Sequence, residues 1–389
     1  MSDQKWLGTI LFLSMLLVAC NSTPSNKSDV KPTEIIPTEI IPTATQKLTN
    51  TPLPTPTKII PEPPLVFDIP DSEFPFSEPG PYEVSMIDEI IYQDDERNDR
   101  EISISILFPS NEGTPDLRGA PFPLIINDYK MFDTFGTQLA SHGYIVVGIN
   151  TIEVYLPWDE EVYNQPLDYI FILNELANNP PGALFGFIDS DHTGVWGYSY
   201  GGHNSLTLSG ARIDPEYYLN TCENPTVSAL PFGERSIHNF CDIYENWDQF
   251  VEEAGPEQTE SDDGLWQAIT DDRIQALIAL SPEGEWLRGP KGFASADKPI
   301  IVTAGSLEGI RYNECYTIFE ELGSSEKIFV TFRGKMHNMV FSDSAQQQMR
   351  HLAVAYFSFY LKGAEEYGYY FSEDYISETD GLAWGWYGN

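Results

Sequence analysis

Gly197-Tyr198-Ser199-Tyr200-Gly201-Gly202 has the form G-x-S-x-G, with apolar Val195-Trp196 before it and a helix-compatible stretch after it. On a sharp strand-to-helix turn, that spacing lifts a serine clear of the backbone, so that its hydroxyl can attack a carbonyl carbon. Glycines on either side remove side chains where the turn crowds the chain, and Gly202 lets the next helix approach the strands. A hydroxyl at its ordinary pKa is a weak nucleophile. It needs a base within hydrogen-bond reach, and the base needs a third group to fix its tautomer.

The chain has six histidines. His337, in Arg333-Gly334-Lys335-Met336-His337-Asn338, follows the last strand-like run, at the kind of strand end where open α/β sheets collect their ligand-facing groups. It is the candidate base. His142 closes a helix, His192 precedes a strand at its wrong end, and His203 rides the helix after the serine. His238 lies in an irregular stretch and His351 opens the terminal helix. The acid is sought at a strand end between serine and base. Glu308, in Gly305-Ser306-Leu307-Glu308-Gly309, is chosen, and Glu283, in Ser281-Pro282-Glu283-Gly284-Glu285, is the alternative. A tetrahedral intermediate also needs amide donors for its oxyanion. Those are the backbone N–H of Tyr200 and one from the loop Asn127-Asp128-Tyr129-Lys130, with Tyr129 the candidate. Tyr129, Trp286 and Tyr200 could line an apolar acyl site, or could equally be core aromatics.

The elements around these residues alternate. Phe122–Ile126, Tyr144–Ile149, Ile274–Leu280, Pro299–Thr303 and Lys327–Thr331 are short apolar runs, read as buried strands. Asp191-His192-Thr193-Gly194 reads as a turn into a strand at Val195. Glu101–Phe108 alternates with period two, as a half-exposed antiparallel strand does. Helices are expected over Phe132–His142, about Pro166–Asn178, about Tyr200–Ala211 and His351–Leu361. This predicts an α/β fold: a mostly parallel sheet covered by helices on both faces. Residues 212–271 have no strong period and read as a cap inserted over the site.

The ends of the chain have another character. Ile10–Val18 is an apolar core too short for a comfortable membrane span. It leads into Leu17-Val18-Ala19-Cys20, which resembles the bacterial lipobox; residues 1–19 would be the signal peptide and Cys20 the lipidated N-terminus. Residues 20–66, rich in Pro, Thr and Ser, read as an extended tether, and 67–389 as the folded domain. The protein is thus expected outside the cytoplasm, touching a membrane only through its anchor.

The formal net charge is −38, and the lysines and acids of the tether cancel, so the folded domain carries the imbalance. Such a surface repels phosphate backbones and excludes nucleic acid as a partner. Of the four cysteines, Cys222 and Cys241 could pair in an oxidising compartment, and Cys315 is left over. No spacing suggests a metal site, and no cofactor is called for.

With these residues in place, the domain resembles the α/β-hydrolase superfamily. It is most similar to a group of predicted dienelactone hydrolases, platelet-activating-factor acetylhydrolase-like enzymes and polyester-cleaving cutinases. The resemblance runs from about residue 80 to 363. It is carried by Gly80–Val84, Leu139–Val147, Gly197–Gly202, Asp272–Ala276, Phe332–His337 and Tyr360–Gly363. It implies Ser199 as nucleophile, His337 as base and the acid at the position of Glu308, and it supports pairing Cys222 with Cys241. The chain departs from the family at Glu308, where aspartate is commoner, and at Asn127-Asp128, where a His-Gly pair is usual. The implied activity is hydrolysis of a small-molecule, lipid or polyester ester by a monomer. A serine peptidase and a catalytically silent binding lipoprotein are the alternatives.

Overall fold

A computed structural model describes residues 60–151, 158–223 and 240–388. The signal peptide, Cys20, the tether as far as residue 59, and His238 lie outside the described residues, as does part of the insertion.

The molecule is a mixed α/β structure built on a ten-stranded sheet. Its strands are β1 (Glu83–Asp94), β2 (Arg100–Asn111), β3 (Thr114–Pro115), β4 (Phe122–Asp128) and β5 (Ile145–Ile149), followed by β6 (Ile188–Tyr198), β7 (Ile274–Leu280), β8 (Ile300–Gly305), β9 (Lys327–Phe332) and β10 (Leu382–Trp384). Their order is β1-β2-β5-β4-β6-β7-β8-β9-β10, with β3 on β2. From β5 to β9 every pairing is parallel. β1, β2 and β3 at one edge and β10 at the other pair antiparallel.

The parallel strands are apolar on both faces because both faces are covered. Ile125, Val146, Trp196, Ile278 and Ile301 belong to one buried cluster. Their chain neighbours Ile126, Val147, Val195, Leu277 and Val302 belong to the other. The first cluster packs against α1 (Tyr129–Ser141) and the long C-terminal helix Asp343–Lys362. The second packs against α2 (Glu161–Asn178), α3 (Tyr200–Leu208) and α4 (Pro215–Glu223).

Several boundaries differ from the sequence reading. β6 starts at Ile188, so Asp191-His192-Thr193-Gly194 lies inside the strand: ladder pairing with β4 admits polar side chains that the apolar pattern passes over. α1 begins at Tyr129 rather than Phe132, because Asp128 caps it. The C-terminal helix begins at Asp343, eight residues before His351, on a polar first turn without apolar rhythm. Residues 60–66, read as the end of the tether, are docked on the domain: Glu62 bridges to Arg118, and Leu65 N–H donates to the Tyr82 hydroxyl at 3.0 Å.

Within the described part of the insertion are α4, α5 (Trp247–Ala254) and α6 (Pro256–Thr259). Cys222 at the end of α4 is disulfide-bonded to Cys241. Cys315 is a buried free thiol.

Candidate active site

Ser199 stands alone between β6 and α3 with φ 57° and ψ −113°. That backbone conformation is costly for a residue with a side chain and persists only where the surroundings impose it. Here they do. A Cβ on Gly197 would lie 1.9 Å from the Gly201 carbonyl oxygen, so only glycine lets the chain fold back so tightly. Ser199 N–H donates to the Leu280 carbonyl at 2.9 Å, fixing the turn to the end of β7.

The loops after β8 and β9 bring two more side chains to the serine. His337 opens a short 3₁₀ turn after β9. Its Nε2 lies 2.9 Å from Ser199 Oγ and its Nδ1 lies 2.9 Å from Glu308 Oε2. The Glu308 side chain is fully buried. Its Oε1 accepts from Ser281 Oγ at 2.7 Å and Gly305 N–H at 2.5 Å. A carboxylate filled in this way has one direction left, toward the imidazole. It selects the tautomer with the proton on Nδ1 and the lone pair of Nε2 facing the serine. The Tyr198 hydroxyl donates to the His337 carbonyl at 2.8 Å and holds the base from below. The longer arm of glutamate therefore reaches.

Glu283, after β7, occupies a different place. It is 7% exposed, and its Oε1 accepts from Ser199 Oγ at 3.2 Å. It is ion-paired with Arg311. The same guanidinium lies 2.8 Å from His337 Nε2, where it competes with Ser199 Oγ for the one lone pair. Arg311 sits in the first turn of α7 (Ile310–Glu321), directly after Gly309. No motif marked it. Behind Glu283, Glu314 is buried and accepts weakly from the N–H groups of Gly284 and Glu285, at 3.3 and 3.4 Å. Burial, with the charges of Glu283 and Glu285 added, raises its carboxyl to about 8, so it is a neutral acid at pH 7.

Tyr200 and Tyr129 are the first residues of α3 and α1. Amides at such positions have no acceptor within their own helix and lie at its positive end. Ser199 stands beside one of these ends, and Asp128 hydrogen-bonds both turns, to Met131 N–H and Tyr198 N–H. The arrangement can polarise a hydroxyl, take its proton, and offer amide donors to an anion.

The aromatic candidates divide. The Trp286 and Tyr200 rings are buried and pack with Trp158 and Phe240. They are core residues, because their rings are used up by one another. Tyr129, Leu307, Ile310, Met336 and Phe341 are each more than half exposed, on the segments just after β4, β8 and β9. Among the described residues, no group of His, Cys, Asp and Glu side chains could hold a metal ion, and no helix is long and apolar enough to cross a membrane. No protein-family model matches the chain, and no curated protein matches it.

Proposed function

We propose that this chain is an extracytoplasmic serine hydrolase of the α/β-hydrolase fold, lipid-anchored through Cys20, that cleaves carboxylic esters through an acyl-enzyme. The observation that carries the reading is the hydrogen-bonded line from Ser199 Oγ through His337 to Glu308, with Ser199 held at positive φ. Arg311 and Glu283 also contact the reacting pair, and both must yield room to an incoming ester.

The steps follow from the donors and acceptors. As Ser199 Oγ bonds to the ester carbonyl carbon, its proton passes to Nε2 of His337, and Glu308 stabilises the imidazolium that forms. The carbonyl oxygen becomes an oxyanion that takes hydrogen bonds from the N–H groups of Tyr200 and Tyr129. His337 then protonates the departing alkoxide. Water, deprotonated by the same histidine, attacks the acyl-enzyme, and Ser199 regains its proton as the acid product leaves. No cofactor enters any step. The exposed apolar side chains beside the site favour an apolar acyl or alcohol group, as in lipid or polyester esters, and the acidic surface disfavours nucleic acid.

The test is a panel of neutral esters of increasing acyl length, run on wild type and Ser199→Ala. Wild type should hydrolyse part of the panel, and Ser199→Ala should lose on the order of 10⁴-fold or more. A fluorophosphonate should label wild type at Ser199. Cleavage of peptide amides without ester cleavage moves the reading to a peptidase, and absence of labelling in folded protein leaves a binding lipoprotein.

A further inference from the structure

Asp128 has more partners than its place in the fold requires. It ends β4 and caps α1, accepting the Met131 N–H at 2.9 Å through Oδ1. One oxygen suffices for that task. The second, Oδ2, accepts the N–H of Tyr198, the residue before Ser199, at 3.1 Å. The first turn of α3 rests on the same oxygen: a Cβ on Gly201 would fall 2.0 Å from Oδ2. The side chain is completely buried.

Resting on the hydrolase reading, we propose that Asp128 is the positioning residue of the oxyanion site, one carboxylate that ties together the two turns presenting the N–H groups of Tyr129 and Tyr200. Each amide lies next to one of its hydrogen bonds: Tyr129 between the cap and Met131, Tyr200 two residues beyond Tyr198. The spacing of two donors on separate loops has to be held to a fraction of an ångström to serve one oxygen. A carboxylate can do this because both its oxygens accept. An asparagine of the same shape would keep one acceptor and turn an N–H donor toward the other N–H.

The same geometry gives the tether a pH dependence. Burial raises the Asp128 carboxyl to about 6, against the lowering effect of the hydrogen bonds from Met131, Tyr198 and Lys130. The titratable side chains facing it are Lys130 on α1 and Tyr169 on α2. Protonation turns one of the two acceptors into a donor, and the tether weakens as pH falls through about 6.

The experiment measures fluorophosphonate labelling of Ser199, and kcat and KM on a neutral ester from pH 5 to 9, for wild type, Asp128→Asn and Asp128→Ser. Serine keeps the cap of α1 and gives up only the hold on Tyr198, so it guards against a folding defect. Both variants should lose 10²–10³-fold in kcat and in labelling rate, about what one oxyanion donor is worth, with KM within threefold. Wild-type kcat should fall more steeply than that of either variant as pH drops through about 6, the value to which burial raises the Asp128 carboxyl. Wild-type kcat in either variant, or the same pH profile in wild type and variants, overturns the proposal. No labelling of wild type instead sinks the hydrolase reading beneath it.

Discussion

Glu308 and Glu283 stand at the ends of neighbouring parallel strands, and both reach the Ser199–His337 pair. They differ in what fills their oxygens. Glu308 takes hydrogen bonds from His337, Ser281 and Gly305, all aimed by its own loop and its neighbour's. Glu283 takes the serine hydroxyl on one side and a guanidinium on another, with the neutral acid Glu314 behind it. A carboxylate saturated by neutral donors orients an imidazole and supports a positive charge growing on it. One already neutralised by an arginine has little field left to give. Two residues of the same type, one strand apart, thus differ in how well they are placed to orient His337.

The largest effect expected from this inequality is in the rate. Glu308→Gln should lower kcat by about 10³–10⁴-fold, because an amide at that position no longer favours the Nδ1 proton or the imidazolium. Glu308→Asp should recover part of it. Glu283→Gln should change kcat less than tenfold. Steady-state kinetics of the three variants on one ester decide the matter, and a Glu283→Gln loss exceeding that of Glu308→Gln would reverse the assignment.

A smaller effect lies in stability. Removing the guanidinium in Arg311→Met leaves the Glu283 charge without its partner in a mostly buried site. Arg311 remains 21% exposed at its side chain, so water compensates in part and the cost should be about 1–2 kcal/mol. Adding Glu283→Gln should recover most of that loss, since a neutral amide needs no cation. A double-mutant cycle by urea denaturation reads the coupling. The parallel cycle with Glu308→Gln should show a smaller coupling, carried through the His337 ring that both side chains contact. Coupling to Glu308 as large as to Glu283 would erase the distinction drawn between them.

How far this arrangement was legible in the sequence follows from what each residue type reveals alone. The central strands announce themselves as unbroken apolar runs, because burial on both faces permits little else. Ser199, His337 and Glu308 could be placed because each falls just after such a run. Glu308 is chosen over Glu283 from the sequence although both glutamates end a strand; what separates them is the Gly305 amide of its own loop and the Ser281 hydroxyl of the neighbouring one, a contact that the sequence does not display. β1 escaped notice because Glu83–Asp94 is an edge strand of mostly half-exposed and exposed residues. Arg311 belongs to no motif, and its position follows only from where Gly309 starts the helix. Trp286 and Tyr200 were candidates for the acyl site because an aromatic ring looks the same in a core and in a cleft until its neighbours are known.

The smallest predicted effect concerns the acid behind Glu283. Glu314 holds its proton to about pH 8 in the folded chain, against an ordinary value of 4.5. Its folded pKa is raised, so its contribution to stability is complete below pH 4.5 and is lost as pH rises through about 8. Across that window the folded state carries one proton more than the unfolded state, and this group lowers stability by up to about 1.4 kcal/mol per pH unit. Glu321 and Glu285 are also raised by burial and add slopes of the same sign. Glu314→Gln should therefore flatten the decline between pH 5 and 8 without abolishing it, read as urea midpoints at several pH values. The neutral amide keeps an acceptor for the Gly284 and Glu285 amides and cannot repel Glu283, so the variant should also retain more ester activity than wild type above pH 8. An unchanged slope would mean that the proton is not stored beside Glu283, and the contrast between the two strand-end carboxylates would then rest on Arg311 alone.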